Sequence, residues 1–321
     1  MTPSAQAALP AFEVWLAAPD ISRWVEGNTG IPGFTTYASR RPGPHVLLLA
    51  LAHGNEIAGA IALHRLLLEG LTPARGRLSF GFVNLAAFQR FDPRHPTLSR
   101  FIDEDMNRIW DASLLDGPRR SAELERARQI RPIIDSADVV LDLHSMLWPS
   151  DPLILCGETA KGRALARAIG TPALVVADKG HASGRRILDY DRFSCPDSPT
   201  VANLVEAGQH WQPATVDTML ASVSGLLGYL GLCSAHPALP APREGPRQTA
   251  EVTTVITAMT GNFTFVQPWR GGEVITKRDT LIATDGTAEI CTPYDDCLLV
   301  MPSLRPSRGH TAIRLARFVS E

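Results

Sequence analysis

Val46–Gly70 reads VLLLALAHGNEIAGAIALHRLLLEG. Its first seven residues, Val46 to Ala52, are apolar throughout, the pattern of a strand covered on both faces. The period changes after Glu56. Ile57, Ile61, His64 and Leu68 recur at helical spacing, Ala60 and Leu67 widen the stripe, and Gly70 stops it. A buried strand, a short polar turn and a helix form the repeating unit of α/β domains with a largely parallel sheet. Gly54, within the turn, is expected to let the backbone bend tightly.

The same format recurs outward from this stretch. Leu78–Leu85, Val139–Leu143, Leu153–Cys156, Ala173–Val176 and Val201–Val205 read as strands. Leu124, Ala127, Ile130 and Ile134 mark a second helix, and Thr159 can cap a third that runs through Leu165 and Ile169 to Gly170. A fourth carries Val216, Met219, Leu220, Val223, Leu227 and Leu230. After Gly231 the texture changes. Pro237–Arg247, PALPAPREGPR, has too many Pro and Gly residues for regular structure. From Glu251 on, short β-prone runs such as VTTVITAM, TLIATDG and HTAIRLARFV alternate with turn signals. The pattern predicts an α/β domain over residues 1–235, a linker over 236–250 and a small β-rich C-terminal domain over 251–321.

Composition narrows the function classes. Hydrophobic residues make up 45% and charged residues 20% of the 321, enough to fill a sizeable core. The net charge of −2 and the lack of a Lys/Arg run give no footprint for nucleic acid. No apolar run reaches the ~18 residues a membrane span needs, so no membrane partner is expected. The first twenty residues carry no Lys or Arg before their apolar stretch and do not read as a signal peptide. Cys156, Cys195, Cys233, Cys291 and Cys297 are odd in number, scattered and never in a C-x-x-C pair. They read as reduced thiols of a cytoplasmic protein, which excludes a cysteine zinc cage. The sequence leaves room for a homo-oligomer.

His53 and Glu56 form an H-x-x-E in the turn that follows the first strand. With 9 His and 33 acidic residues in 321, such a pair arises about once by chance. Position adds weight, because ligands in open α/β sheets gather beyond the carboxyl ends of strands. The competing reading is that Glu56 merely complements the dipole of the helix it opens. His144 ends the strand VVLDLH in the same way, with Asp142 two residues earlier on the same face. Hydrolytic zinc sites commonly use three His or carboxylate ligands and keep a position open. His53, Glu56 and His144 satisfy that count, and Asp142 can then fix an imidazole tautomer. Alternatively, Asp142 and His144 are a buried polar pair that satisfies itself. Glu206, after another apolar run, can serve as general base and acid, or pair structurally with an Arg. In Ser99–Trp110, SRFIDEDMNRIW, the donors Arg100, Asn107 and Arg108 can grip a carboxylate. Spacing alone favours surface pairing of these arginines with Asp103, Glu104 or Asp105.

Four motifs occur in order: AHGNE at Ala52–Glu56, SRFIDEDMNR at Ser99–Arg108, DLHS at Asp142–Ser145 and VEAG at Val205–Gly208. Together they resemble the succinylglutamate desuccinylase/aspartoacylase family of the zinc carboxypeptidase superfamily. The resemblance implies a zinc-carboxypeptidase-like mixed sheet flanked by helices, followed by the β-rich domain. It implies one zinc ion per chain, held by His53, Glu56 and His144, with Glu206 as base and acid. Arg100 would polarise the scissile carbonyl, and Asn107 with Arg108 would hold a substrate carboxylate. Arg185 and Arg186 stand for a further substrate-gripping arginine and Tyr294 for a C-terminal tyrosine. His181 and His210 have no counterpart and stay outside the catalytic set.

The function so implied is zinc-dependent hydrolysis of an N-acyl amino acid or a related small amide whose substrate bears a carboxylate. Two rivals remain. A carboxypeptidase or dipeptidase would use the same metal motifs, and a zinc-binding sensor would keep them without catalysis.

Overall fold

The computed structural model describes residues 12–181, 183–233, 235–241 and 247–319. The opening stretch 1–11, on which the leader reading partly rests, and residues 242–246 of the Pro/Gly-rich segment lie outside these. The chain divides into two compact units. Val14–Ser145 and Pro152–Arg247 form one; Met146–Asp151 and Gln248–Glu321 belong to the other.

The larger unit is built on one mixed sheet. Its strands are β1 (Phe34–Ala38), β2 (His45–Ala50), β3 (Arg77–Phe82), β4 (Val139–Met146), β5 (Leu153–Leu155), β6 (Leu174–Ala177) and β7 (Val201–Gln209). They lie in the order β1-β3-β2-β4-β7-β5-β6. β2 runs parallel to both β3 and β4, whereas β1 opposes β3 and β5 opposes β7. The sheet is therefore less parallel than the strand–helix alternation suggests. β1, whose FTTYA carries no clear alternation, was not among the expected strands. Every residue of β2 and β4 is buried, in keeping with strands covered on both faces; in β4 this includes Asp142, His144 and Ser145.

Helices Ile57–Leu68, Ala122–Ser136, Ala160–Ile169 and Pro213–Tyr229 flank the sheet. Ser121 and Thr159 cap two of them through their hydroxyls, and Gly170 ends Ala160–Ile169 in a left-handed conformation. Leu48, Leu63, Leu66, Leu141, Val205, Met219 and Val223 lie in one buried core that joins strand faces to helix stripes. Among the described residues no helix is long and apolar enough to cross a membrane.

The smaller unit is antiparallel. Its strands are β8 (Gln248–Thr257), β9 (Phe263–Phe265), β10 (Val274–Ile275), β11 (Leu281–Asp285), β12 (Ala288–Cys291), β13 (Cys297–Val300) and β14 (Thr311–Val319). Phe263, Phe265, Trp269, Ile282, Leu299 and Ile313 fill its own core. β8 begins at Gln248, within the stretch read as linker.

Candidate functional site

The chain leaves β2 through an unusual turn. Leu51 is buried yet holds φ at +62°, a conformation that costs a side-chain-bearing residue about 1–3 kcal/mol. The left-handed residue of the turn is thus Leu51. Gly54 is required for a different reason from the bend expected of it. A Cβ there would stand 2.3 Å from the Ala87 carbonyl carbon and 2.5 Å from the Ser99 carbonyl oxygen. Gly54 N–H donates to the Arg100 carbonyl at 3.1 Å, which fastens the 53–56 turn to the 99–108 loop.

Glu56 is the N-cap of helix Ile57–Leu68, but its side chain does not cap that helix. One oxygen lies 2.6 Å from His53 Nδ1 and the other 3.1 Å from His144 Nδ1. The second oxygen also accepts the Ser145 backbone N–H at 3.0 Å. One ligand atom from each of His53, Glu56 and His144 falls within 4.8 Å of the others, and all three residues are buried. The reverse edges of both imidazoles meet carboxylates. His53 Nε2 is 2.8 Å from Asp105 Oδ1, and His144 Nε2 is 2.9 Å from Asp142 Oδ2. Both histidines thus offer Nδ1 to a common point while an aspartate orients each ring from behind.

Burial alone would raise the Glu56 carboxyl, but the facing His53 and His144 hold it well below the usual carboxylate range. Burial would likewise lower His144, yet Asp142 and Glu56 lift it well above the ordinary imidazole value. Asp105, despite burial, is held low by His53 and Arg100. The cluster is rich in acceptors and is kept together by shared protons, the setting in which a divalent cation competes well.

Arg100 donates through Nη2 to Asp105 Oδ2 at 3.0 Å and lies 3.5 Å from Glu56 Oε1 through Nη1. Its side chain keeps 36% of its surface exposed, so it sits at the rim of the cluster. Burial lowers the guanidinium's proton affinity, but Asp105, Glu56 and Glu206 together raise it above its ordinary value. Glu206 acts on Arg100 from β7, the strand beside β4. Asn107 is buried; its side-chain Oδ1 accepts Ile187 N–H at 2.8 Å, and its side-chain Nδ2 lies 3.4 Å from His144 Nε2. Asp142 is the nearer partner of that ring nitrogen at 2.9 Å, so the Asn107 approach is the weaker contact. Arg108 donates to the Asn107 backbone carbonyl at 2.6 Å and forms a long ion pair with Asp105 at 4.0 Å.

The three acids of SRFIDEDMNR part company. Asp105 enters the cluster and bonds Arg100, whereas Asp103 accepts Ala122 N–H and Glu104 pairs with Arg119. Glu123, which sequence reading missed, holds the loop. Its carboxylate accepts the backbone N–H groups of Ile102, Asp103 and Glu104 and the Asn84 amide, and it is buried.

The family model for the succinylglutamate desuccinylase/aspartoacylase catalytic domain matches residues 42–226, more than half of the chain. The chain belongs to that family. Membership makes it a hydrolase of the deacylase type acting on an amide, and the matched span contains His53, Glu56, Asp105, His144 and Glu206. Solved structures agree on the fold. A succinylglutamate desuccinylase from Vibrio cholerae is 18% identical, with 89% of this chain and 85% of that one covered at a TM-score of 0.67. One from Vibrio parahaemolyticus is 17% identical, with 90% and 87% covered at 0.66. A succinylglutamate desuccinylase/aspartoacylase from Rhodobacter sphaeroides is 20% identical, with 91% and 90% covered at 0.63. Among curated proteins none matches the sequence.

The remaining residues that the family resemblance singled out have other partners. Arg186 is buried and forms bidentate pairs with Asp178 (2.7 and 3.0 Å) and Asp189 (2.7 and 2.9 Å). Arg185 is half-exposed, 3.2 Å from Asp111 and paired with Asp191. Its backbone is bound to the 107–110 segment: Trp110 N–H donates to the Arg185 carbonyl, and Gly184 approaches Arg108 so closely that a Cβ would meet the Arg108 oxygen at 1.9 Å. His181, Arg185, Asp178 and Asp189 line a polar cavity of about 220 Å³ that includes none of the three donors. Tyr294 belongs to the smaller unit, where its hydroxyl meets Thr253 Oγ1 at 2.6 Å and its ring lies under Arg317. His210, set aside on sequence grounds, is buried beside the cluster. Burial pushes it down to about 4, with Arg100, His53 and His144 assisting against Glu56.

Proposed function

We propose that this protein is a zinc-dependent deacylase that hydrolyses an N-acyl amino acid, releasing a carboxylic acid and the free amino acid. The observation that carries the reading is the convergence of His53 Nδ1, Glu56 and His144 Nδ1 in a buried cluster, with Asp105 and Asp142 behind the two rings. Two imidazoles and one carboxylate suit zinc by donor type and number, and the free thiols play no part. Zinc held there would supply Lewis acidity toward the amide carbonyl and lower the pKa of water.

The chain's own groups supply the rest. Glu206 takes a proton from the attacking water and delivers it to the leaving nitrogen, so one water is consumed and one amide bond is broken. Arg100, at the rim and held by Asp105, stabilises the negative charge that develops on the former carbonyl oxygen. Arg108, beside Asn107, binds the substrate carboxylate. Arg186 is a weaker candidate for that task because two carboxylates already grip it.

Two measurements test the proposal together. Metal analysis should find close to one zinc per chain, with most of it lost from His53→Ala and His144→Ala. A panel of N-acetyl, N-succinyl and N-formyl amino acids should yield free amino acid with the zinc-loaded protein, and dipeptides should not. Full zinc in both variants sinks the ligand assignment; turnover of dipeptides alone makes the enzyme a peptidase.

A further inference from the structure

β7 ends at Gln209, and the next two residues, His210 and Trp211, turn back into the protein. Both are buried, and their rings lie 5.2 Å apart. Each reaches a different segment of the metal cluster. Trp211 Nε1 donates to the Asn55 carbonyl at 3.0 Å, one residue before Glu56. His210 Nδ1 lies 2.7 Å from Ser145 Oγ, one residue after His144. Ser145 in turn donates its backbone N–H to the Glu56 oxygen that faces His144. The same strand carries Glu206, four positions before His210.

We propose that His210 and Trp211 are positioning residues that lock the 53–56 turn and the 144–145 end of β4 to the strand carrying Glu206, so that metal ligands and base are set as one rigid assembly. The inference rests on the zinc reading above. The physical need is plain. The 53–56 turn follows a left-handed Leu51 and ends on a non-helical Glu56, so its geometry needs external support. Glu56 is a ligand only while its two oxygens stay aimed at two Nδ1 atoms that come from different strands. A hydrogen bond to the turn and one to the strand end, from adjacent buried rings, remove their freedom to separate.

Loss of a partner that orients a metal ligand typically costs ~10- to 100-fold in metal affinity or activity. The test is zinc dissociation constants from chelator competition, with kcat, KM and Tm, for His210→Phe, His210→Asn, Ser145→Ala, Trp211→Phe and the Ser145→Ala/His210→Phe double variant. His210→Phe keeps the ring volume but loses the bond. It should weaken zinc and lower kcat by about 10- to 100-fold with KM near wild type. His210→Asn, whose amide can stand where Nδ1 stood, should recover most of both. Ser145→Ala should match His210→Phe, and the double variant should be no worse than either, because both remove one interaction. Trp211→Phe should weaken zinc through the 53–56 turn. A His210→Phe protein with lower Tm but wild-type zinc affinity and kcat overturns the inference, as do Ser145→Ala and His210→Phe effects that simply add. If His210→Phe does not fold, Ser145→Ala carries the comparison, and wild-type zinc affinity there overturns it equally. Wild type that binds no zinc would sink the zinc reading itself, a result distinct from zinc-binding wild type beside variants that bind as tightly.

Discussion

The larger unit holds two buried charge clusters that solve the same problem differently. Around Arg186, Nε and both terminal nitrogens donate to all four carboxylate oxygens of Asp178 and Asp189. Donor meets acceptor at every contact, and a guanidinium does not surrender its proton in a protein. Around Glu56, acceptors face acceptors: two carboxylate oxygens oppose two Nδ1 atoms, and two more aspartates sit behind the rings. Such a cluster holds together only through exchangeable protons, and a proton can be replaced by a metal ion. Both clusters have buried charged side chains at their centre. The kind of donor separates a structural cluster from a chemical one.

The largest expected effect is on the chemical side. Glu206→Gln should keep zinc and fold while losing ~100- to 10,000-fold in kcat, the usual contribution of an acid/base group. Wild-type turnover of the true substrate would return Glu206 to a structural role and weaken the contrast between the clusters. Arg186→Met probes the other side. It leaves Asp178 and Asp189 buried without their counter-charge and should cost about 3–5 kcal/mol of stability, read by Tm or denaturant, with kcat/KM of the folded enzyme unchanged. A selective loss of kcat/KM for carboxylate-bearing substrates would make Arg186 a substrate ligand after all.

Arg108→Ala should behave in the opposite way. Loss of a buried partner of the substrate carboxylate costs ~2–5 kcal/mol, or roughly 30-fold to several thousand-fold in kcat/KM, with little change in Tm. An amide analogue of that carboxylate should already be poor with wild type and lose little more in the variant. Penalties that add independently would remove Arg108 from the carboxylate site.

The smallest effect separates the clusters by pH. His210 titrates in the folded protein near about 4, below its ordinary ~6.5. Its contribution to stability is therefore whole above about pH 6.5 and is lost as pH falls toward about 4. Between about pH 7 and pH 4.5, wild type should lose more Tm than His210→Asn, whereas Arg186 has nothing to titrate in that window. Equal acid sensitivity in the two proteins would show that His210 is not the group responsible.

Much of this architecture was legible in the chain itself. VLLLALA followed by a helical stripe, and VVLDLH with its histidine at the strand end, fixed which residues emerge at which strand termini, because strand and helix periods are local properties. That made His53, Glu56 and His144 candidates beside plainer structural readings, and the family resemblance singled them out as ligands. β1 was missed because FTTYA has neither an apolar run nor a clean alternation, and it becomes a strand by pairing with β3.

What only the tertiary structure decided lies in contacts between distant positions. Sequence offered Asp103, Glu104 and Asp105 as equals, and the 99–108 loop, held by Glu123 and Gly54, delivers only Asp105 to His53. Arg185 and Arg186 are adjacent in the chain, yet one is half-exposed and the other is closed between two aspartates. The Trp211 indole meets a carbonyl 156 positions away. Local spacing determines which face of an element a residue occupies. It does not determine which buried carboxylate, ring or carbonyl waits there, because that partner is chosen by packing between segments whose separation along the chain carries no period to read.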